Sequence, residues 1–300
     1  MSTYIIVAGD AAIENLVSIA KNLGRPSTAV VVGDGAVADA VAASGVDSVS
    51  WLGEPGDKPL EAFAPAVAEV VATGDAEVVL TAGRQVERTL VGAVAARLAA
   101  PIITMASSVE ADGDAVVVAS AEFGGISQRT AKVSGPVVVV TEGGATATGG
   151  SATVDEASAE ALGSVTVSET RQAEHASVDL GSATRVVSAG RGVKAKDDLH
   201  LIEELASAIG AEVACSRPLA EGLDWFSHDR YVGVTGQHIS PDLYLAVGIS
   251  GQLQHSVGAR SAKTIVVINS DANAPYAKEA DYVVVGDLYQ VVPALTEALR

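Results

Sequence analysis

Five segments in the C-terminal part of the chain carry the side chains with most chemistry to offer. They are Gly190-Arg191-Gly192, Cys215-Ser216-Arg217-Pro218, Gly248-Ile249-Ser250-Gly251-Gln252-Leu253-Gln254-His255, Asn269-Ser270-Asp271 and Gly286-Asp287-Leu288. Glycines let a backbone approach a phosphate closely, and a helix starting just after such a loop turns free N–H groups and a positive dipole end towards it. Arg191 and Arg217 add fixed positive charge, so a pyrophosphate suits the set better than a neutral sugar. Asn269 and Asp287 offer acceptors for ribose hydroxyls or an adenine amino group. Each segment alone has an ordinary reading. Arg217 can pair with Glu221 or Asp224, Asn269 and Asp287 can cap loops, and His255 can close a helix end. Thr235, in Gly233-Val234-Thr235-Gly236, can sit in a plain turn. Five such segments in succession favour a ligand edge.

Other chemistries find little support. His175, His200, His228 and His238 are scattered without metal-ligand spacing, and no Ser/His/Asp or Cys/His set suggests nucleophilic catalysis. Cys215 is the only cysteine, which excludes a disulfide within the chain and an all-cysteine metal site. The Gly248–Gly251 segment is not the full dinucleotide fingerprint.

The elements around these segments must place them together. Apolar strands are expected at 185–189, 212–214, 243–247, 264–268 and 282–285, each running directly into one of the five segments. Leu199, Ile202, Leu205, Ala206 and Ile209 mark one face of a helix ending at Gly210, and Val291, Leu295 and Leu299 mark a closing helix. In an open α/β sheet the segments after the strands gather at the carboxyl edge, where ligands bind. The N-terminal part repeats the rhythm, with strands at 4–8, 28–32, 77–80, 102–105 and 137–140. Ala-rich helical stretches at 11–23, 36–43, 60–72 and 86–99 separate them. This spacing predicts right-handed βαβ crossovers. Gly113 lies between two apolar runs and reads as a hairpin turn, giving a small antiparallel addition.

The fold class is therefore α/β: two domains, each a mainly parallel sheet flanked by helices, the second doubly wound. From Gly143 to about Gly181 the apolar rhythm lapses. The charged stretch Glu169-Thr170-Arg171-Gln172-Ala173-Glu174-His175 is the better place for the boundary, because Val165-Thr166-Val167 reads as a last strand of the first domain. The domains are set at 1–180 and 181–300.

The chain has 300 residues, of which 48% are hydrophobic and only 4% aromatic, and a formal net charge of -18. That charge argues against nucleic acid as a partner. Residues 1–180 hold 9 basic and 23 acidic side chains, residues 181–300 hold 10 and 14, so the second domain tolerates an anion better. No apolar run approaches the ~20 residues of a membrane-spanning helix. The N-terminus begins as a core strand, without the pattern of a signal or transit peptide. A cytoplasmic protein, not an integral membrane one, is expected.

The order and spacing of several motifs carry a family resemblance. Ser216-Arg217-Pro218, Val232-Gly233-Val234-Thr235-Gly236, Pro241-Asp242-Leu243-Tyr244-Leu245-Ala246-Val247-Gly248-Ile249-Ser250-Gly251 and Gln254-His255 stand in sequence. Thr264-Ile265-Val266-Val267-Ile268-Asn269 and Ala280-Asp281-Tyr282, with Gly286-Asp287-Leu288, follow. Together they resemble the alpha subunit of electron transfer flavoprotein over about residues 185–300. The first half resembles it only in its α/β pattern and in Ala95-Ala96-Arg97-Leu98.

The resemblance implies an FAD-carrying electron shuttle with no substrate turnover of its own. Its second domain would be the FAD-binding one; its first would have a nucleotide-hydrolase-like fold and contact the partner. The partner would be a beta subunit holding AMP. Electrons would come from flavin dehydrogenases such as the acyl-CoA dehydrogenases of fatty acid beta-oxidation and leave one at a time to a quinone oxidoreductase. Carried over residue by residue, Ser250, Gly251, Gln252, Leu253, Gln254 and His255 would wrap the pyrophosphate and reach the flavin. Asn269, Asp287 and Leu288 would hold the adenosine half, and Arg191 and Ser216 would line the cleft. Arg217 would lie against the flavin ring. Val232, Gly233, Val234 and Thr235 would form the loop that brings the Thr235 hydroxyl to N5, with His255 on the N1/O2 side. Positive charge and a hydrogen-bond donor near N1/O2 favour the anionic, one-electron-reduced ring. Two positions depart from the family: Val234 replaces a usual Gln, and Gln237 a frequent Lys. A bifurcating variant that oxidises NADH, a nicotinamide-dependent oxidoreductase and an interaction subunit without cofactor are the competing readings.

Overall fold

The computed structural model describes residues 2–123, 125–157, 159–170, 180–181 and 183–300. The chain divides into two units, Met1–Arg171 and Gln172–Arg300. His175 and the rest of 171–179 lie outside the described residues.

In the first unit β1 (Ser2–Ala8), β2 (Ser27–Val32), β3 (Ser48–Trp51), β4 (Ala76–Ala82), β5 (Ile102–Ile103), β9 (Val137–Thr141) and β10 (Thr153–Glu156) form one sheet. Its order is β10-β3-β2-β1-β4-β9-β5 and every pairing is parallel. The helices α1 (Glu14–Asn22), α2 (Gly35–Ala42), α3 (Ala64–Thr73) and α4 (Gln85–Leu98) connect the strands. Central strands are buried on both faces, which is why Ile5, Val7 and Leu80 belong to one apolar cluster and Ile6, Val30 and Val79 to the other. A separate antiparallel sheet consists of β6 (Ala106–Asp112), β7 (Ala115–Glu122) and β8 (Ser127–Ser134). Gly113 makes its first turn at φ +62°, as its place between apolar runs predicts.

Three strands of this unit escape an apolar-run criterion. Ser48-Val49-Ser50-Trp51, Thr153-Val154-Asp155-Glu156 and the largely exposed β8 are polar, and ladder pairing to a neighbour defines each of them. Conversely, Val165-Thr166-Val167 is not a strand. The Val167 N–H donates to the Asp57 carbonyl at 2.8 Å and Lys58 Nζ to the Val165 carbonyl at 3.1 Å, so this stretch is a loop pinned at its side.

The second unit contains β11 (Arg185–Ala189), α5 (His200–Ile209), β12 (Glu212–Cys215), α6 (Arg217–Glu221) and β13 (Leu243–Val247). It continues with α7 (Leu253–Ala259), β14 (Ile265–Asn269), β15 (Tyr282–Val285) and α8 (Leu288–Leu299). The sheet is fully parallel in the order β12-β11-β13-β14-β15. The apolar stripe of α5 packs on one face, and the helix ends at Gly210 with φ +61°. Tyr244, Ile249, Ala259 and Tyr276 help fill the other face. No described helix is long and apolar enough to cross a membrane.

Candidate functional site

From β11 the chain crosses to β12 on one side, then returns past β11 to β13 on the other. This reversal creates a crevice between the loops that follow β11 and β13, the place where doubly wound sheets bind ligands. The two loops are zipped together. The Gly190 N–H donates to the Val247 carbonyl at 2.8 Å and the Gly192 N–H to the Gly248 carbonyl at 3.0 Å. A Cβ on Gly190 would overlap the Gly248 carbonyl, and one on Gly192 would lie 2.8 Å from Gly248 Cα. These glycines therefore serve loop-to-loop contact. Leu288 is buried beneath them, with Cδ2 3.2 Å from where a Gly192 Cβ would lie.

Beyond this zip the chain turns through Gly248 at φ +64° and Gly251 at φ +70°. The amides of Ser250, Gly251 and Gln252 have no hydrogen-bond acceptor among the described residues, and Ser250 and Gln252 are exposed. Consecutive unpaired amides at a carboxyl edge form a concavity suited to anionic oxygens. The loop is fixed from both sides. Asn269 Nδ2 donates to the Ile249 carbonyl at 2.9 Å, and the Tyr276 N–H to the Ser250 carbonyl at 3.1 Å. Helix α7 follows but is only seven residues long, so the loop amides matter more here than its dipole.

On the other side of β11, the Ser216 N–H donates to the Ala189 carbonyl at 2.9 Å, placing buried Ser216 at the head of α6. Arg191 is exposed and has no ion pair among the described residues. Arg217 is exposed too. Its Nε donates to Glu221 Oε2 at 2.6 Å, leaving both Nη groups without a partner among the described residues. The second oxygen of Glu221 lies 3.2 Å from His228 Nε2. The Arg217 hydrogen bond holds the Glu221 carboxyl below its ordinary range, with His228 adding to the effect.

The loop 231–237 joins these parts. The Val232 N–H donates to the Cys215 carbonyl at 3.0 Å, and the Val234 N–H to the Gln254 carbonyl at 2.8 Å. The segment after β12 thus reaches the start of α7, where Leu253 and Gln254 are exposed. Val234 and Thr235 are exposed at the loop tip, with the Thr235 hydroxyl 3.2 Å from Tyr231 Oη.

His255 departs from the sequence expectation. Its ring is 7% exposed and turned inward, with Nε2 2.7 Å from Tyr244 Oη and the Tyr276 ring edge-on at 5.9 Å. Burial lowers its pKa to about 4, while the Val232 main chain, near the ring but outside hydrogen-bond geometry, works weakly against this. The imidazole is neutral near pH 7. In this arrangement it braces the loop and adds no charge at the crevice. Asn269 and Asp287 each use one oxygen as the loop cap that the sequence allowed for. Asn269 Oδ1 accepts the Asp271 N–H at 3.0 Å, and Asp287 Oδ1 caps α8 by accepting the Tyr289 N–H at 3.0 Å. Sequence reasoning missed the supports Tyr231, Tyr244 and Tyr276. Their signal was a tyrosine at an apolar position, where the buried hydroxyl needs a partner. Among the described residues no acidic, histidine or cysteine group could hold a metal ion.

A doubly wound sheet with an amide-lined loop at its switch point defines a nucleotide-cofactor-binding protein. Residues 10–174 match the electron transfer flavoprotein domain, and residues 179–260 the electron transfer flavoprotein FAD-binding domain. Protein FixB of Escherichia coli (strain UMN026) is 38% identical over 295 residues, covering 95% of this chain and 93% of that protein. Protein FixB of Shigella flexneri is 37% identical over the same length and shares. Protein FixB of Shigella dysenteriae serotype 1 is 40% identical over 258 residues, 82% of each chain. The chain belongs to the electron transfer flavoprotein family and is of its alpha-subunit type.

Proposed function

We propose that this chain is the FAD-carrying alpha subunit of a heterodimeric electron transfer flavoprotein, an electron carrier with no substrate turnover of its own. The observation that carries this reading is the run of unpaired amides from Ser250 to Gln252, held between Gly248 and Gly251 at the switch point. Those amides bind the pyrophosphate, and exposed Arg191 adds charge beside them. Ser216 lines the cleft, and Leu288 backs it from beneath. The free Nη groups of Arg217 face the flavin ring, and Thr235 presents its hydroxyl to the N5 edge. The outer faces of Gln252, Leu253 and Gln254 complete the wall, while His255 holds it in place from inside. Asn269 and Asp287 fix the two loops that cradle the adenosine half.

When bound, FAD supplies the electron-accepting centre. The chain orients it, surrounds its ring with donors and leaves one edge for electron exchange. The first unit contacts a beta subunit, which holds AMP. The assembly works in the cytoplasm, taking electrons from flavin dehydrogenases such as acyl-CoA dehydrogenases and passing them to a quinone oxidoreductase.

The test is an absorbance spectrum of the chain co-purified with its beta-type partner, followed by anaerobic stepwise reduction. Flavin bands at about one FAD per chain and a reduction resolved into two one-electron steps are expected. A complex that stays colourless after incubation with FAD overturns the proposal.

A further inference from the structure

Loop 231–237 is wrapped around one aromatic ring. Tyr231 is 1% exposed, and its ring stands where side chains at Gly233 and Gly236 would go. A Cβ on Gly233 would lie 2.8 Å from Tyr231 Oη, and one on Gly236 2.6 Å from Tyr231 Cδ1. The main chain closes around the same residue. The Gln237 N–H donates to the Tyr231 carbonyl at 2.7 Å and the Tyr231 N–H to the His228 carbonyl at 3.2 Å. The ring thus sets where the loop tip stands.

Its hydroxyl also sets what the tip presents. Tyr231 Oη has one partner among the described residues, Thr235 Oγ1 at 3.2 Å. A phenol carries a single proton, and a buried donor left unused costs about 1–3 kcal/mol. Thr235 is exposed and can spend its own proton elsewhere. The favoured arrangement therefore has Tyr231 donating to Thr235, whose hydroxyl hydrogen then points outward into the crevice.

We propose that Tyr231 is a positioning residue for the flavin. It holds the Thr235 hydroxyl at the loop tip and, by donating to one of its two lone pairs, leaves the Thr235 proton free to be donated towards the ring. This inference rests on the cofactor reading above. It adds that the donor state of Thr235 is imposed from the buried side by a tyrosine with no cofactor contact of its own. A donor held at N5 would bond more strongly once the ring carries added negative charge than before, and would therefore favour adding the first electron.

The test uses the full chain with its partner, loaded with FAD. Tyr231→Phe keeps the ring that shapes the loop and removes only the hydroxyl. Thr235→Val, at an exposed position, removes the hydroxyl it serves. Tyr231→Phe is expected to retain wild-type FAD stoichiometry and thermal midpoint, and both variants are expected to lower the first-electron potential. The shift should correspond to a roughly threefold to tenfold change in equilibrium constant, about 30–60 mV for one electron. The double variant should shift no further than Thr235→Val alone, since both act through one hydrogen bond. An unchanged potential in either single variant, or additive shifts in the double, overturns the positioning role while leaving FAD binding intact. A wild-type complex that binds no FAD overturns this inference together with the functional reading.

Discussion

Tyr244 Oη and His255 Nε2 lie 2.7 Å apart in a buried contact between β13 and α7. The pair ties the strand before the crevice to the helix after it, so the loop between them is held at both ends by one hydrogen bond. Tyr276 closes the cluster, with its ring 6.3 Å from Tyr244 and 5.9 Å from His255.

Acidification should loosen this brace. The folded-state pKa of His255 is lowered to about 4 from 6.5, so the unfolded chain takes up a proton at pH values where the folded one does not. Stability from this group is complete above pH 6.5 and is lost as pH falls towards about 4, by at most roughly 3 kcal/mol. The groups facing the ring, Tyr244 and Tyr276, are neutral throughout that window, because burial raises both phenol pKa values. An NMR titration of the imidazole C2 proton should give a midpoint near 4. A midpoint above 6 would mean that the ring is solvated.

Gly251→Ala should disrupt the cradle. At φ +70° an L-residue is strained by about 1–2 kcal/mol, and the new Cβ would also collide with Tyr276. Loss of FAD retention and a fall in stability of more than 2 kcal/mol, by the sum of strain and overpacking, are expected. Gly113→Ala is the control. It has a similar φ of +62° with open space around it, so strain alone applies and FAD retention is unchanged. Equal losses in the two variants on chemical denaturation would remove Tyr276 from the account.

Arg217→Ala should separate redox tuning from stability. Its ion pair with Glu221 is exposed, and such pairs contribute little, so the thermal midpoint should hardly move. In the proposed placement the guanidinium would lie beside the ring and its positive charge would stabilise an added electron, so anaerobic reductive titration should show a lower first potential. An unchanged potential would place Arg217 away from the ring.

The first unit carries an ion pair of the opposite, buried kind. Glu87, 1% exposed, sits in the first turn of α4 with Oε1 3.0 Å from Arg84 Nη1, and Arg84 also reaches Asp10 at 3.0 Å. Burial raises the Glu87 pKa, so its ionised form opposes folding and this cost grows as pH rises through the folded-state value. Arg84→Ala should destabilise by about 3 kcal/mol near neutral pH and by less in acid, because it strands a buried carboxylate. Adding Glu87→Gln should recover most of the loss. Denaturation at pH 5 and pH 8 that shows no pH-dependent difference for Arg84→Ala would contradict this.

The amino-acid sequence by itself determined the architecture of the second unit. Its central strands β11, β13 and β14 are largely buried on both faces and appear as short continuous apolar runs. The edge strand β15 is an equally apolar run that stays exposed, and all five segments that follow the strands line or support the crevice. Arg185–Ala189, Leu243–Val247 and Tyr282–Val285 have the bounds that their apolar residues mark. The stripe Leu199, Ile202, Leu205, Ala206, Ile209 stops at Gly210 because a left-handed residue ends the helix there. The family was legible for a related reason: its motifs are strand ends together with the loops that follow them, so their order along the chain is that of the strands β12 to β15.

Only the tertiary structure decided what individual side chains do. β3, β8 and β10 are polar, and pairing to a neighbour defines them: β8 to the strand just before it, β10 to β3 about a hundred residues away. Val165-Thr166-Val167 has a strand's pattern but, among the described residues, is held by single bonds to Asp57 and Lys58 and not by a ladder. His255 carries the same residue type whether it faces a cofactor or a core; the packing of Tyr244 and Tyr276 turned it inward and made it neutral. Gly233 and Gly236 read as turn glycines in the sequence, yet they are needed because Tyr231 occupies the space their side chains would take. Residue type and spacing fix which elements form and which segments share an edge. Burial and hydrogen-bond partners, set by contacts between distant residues, fix which of those side chains remain free to act.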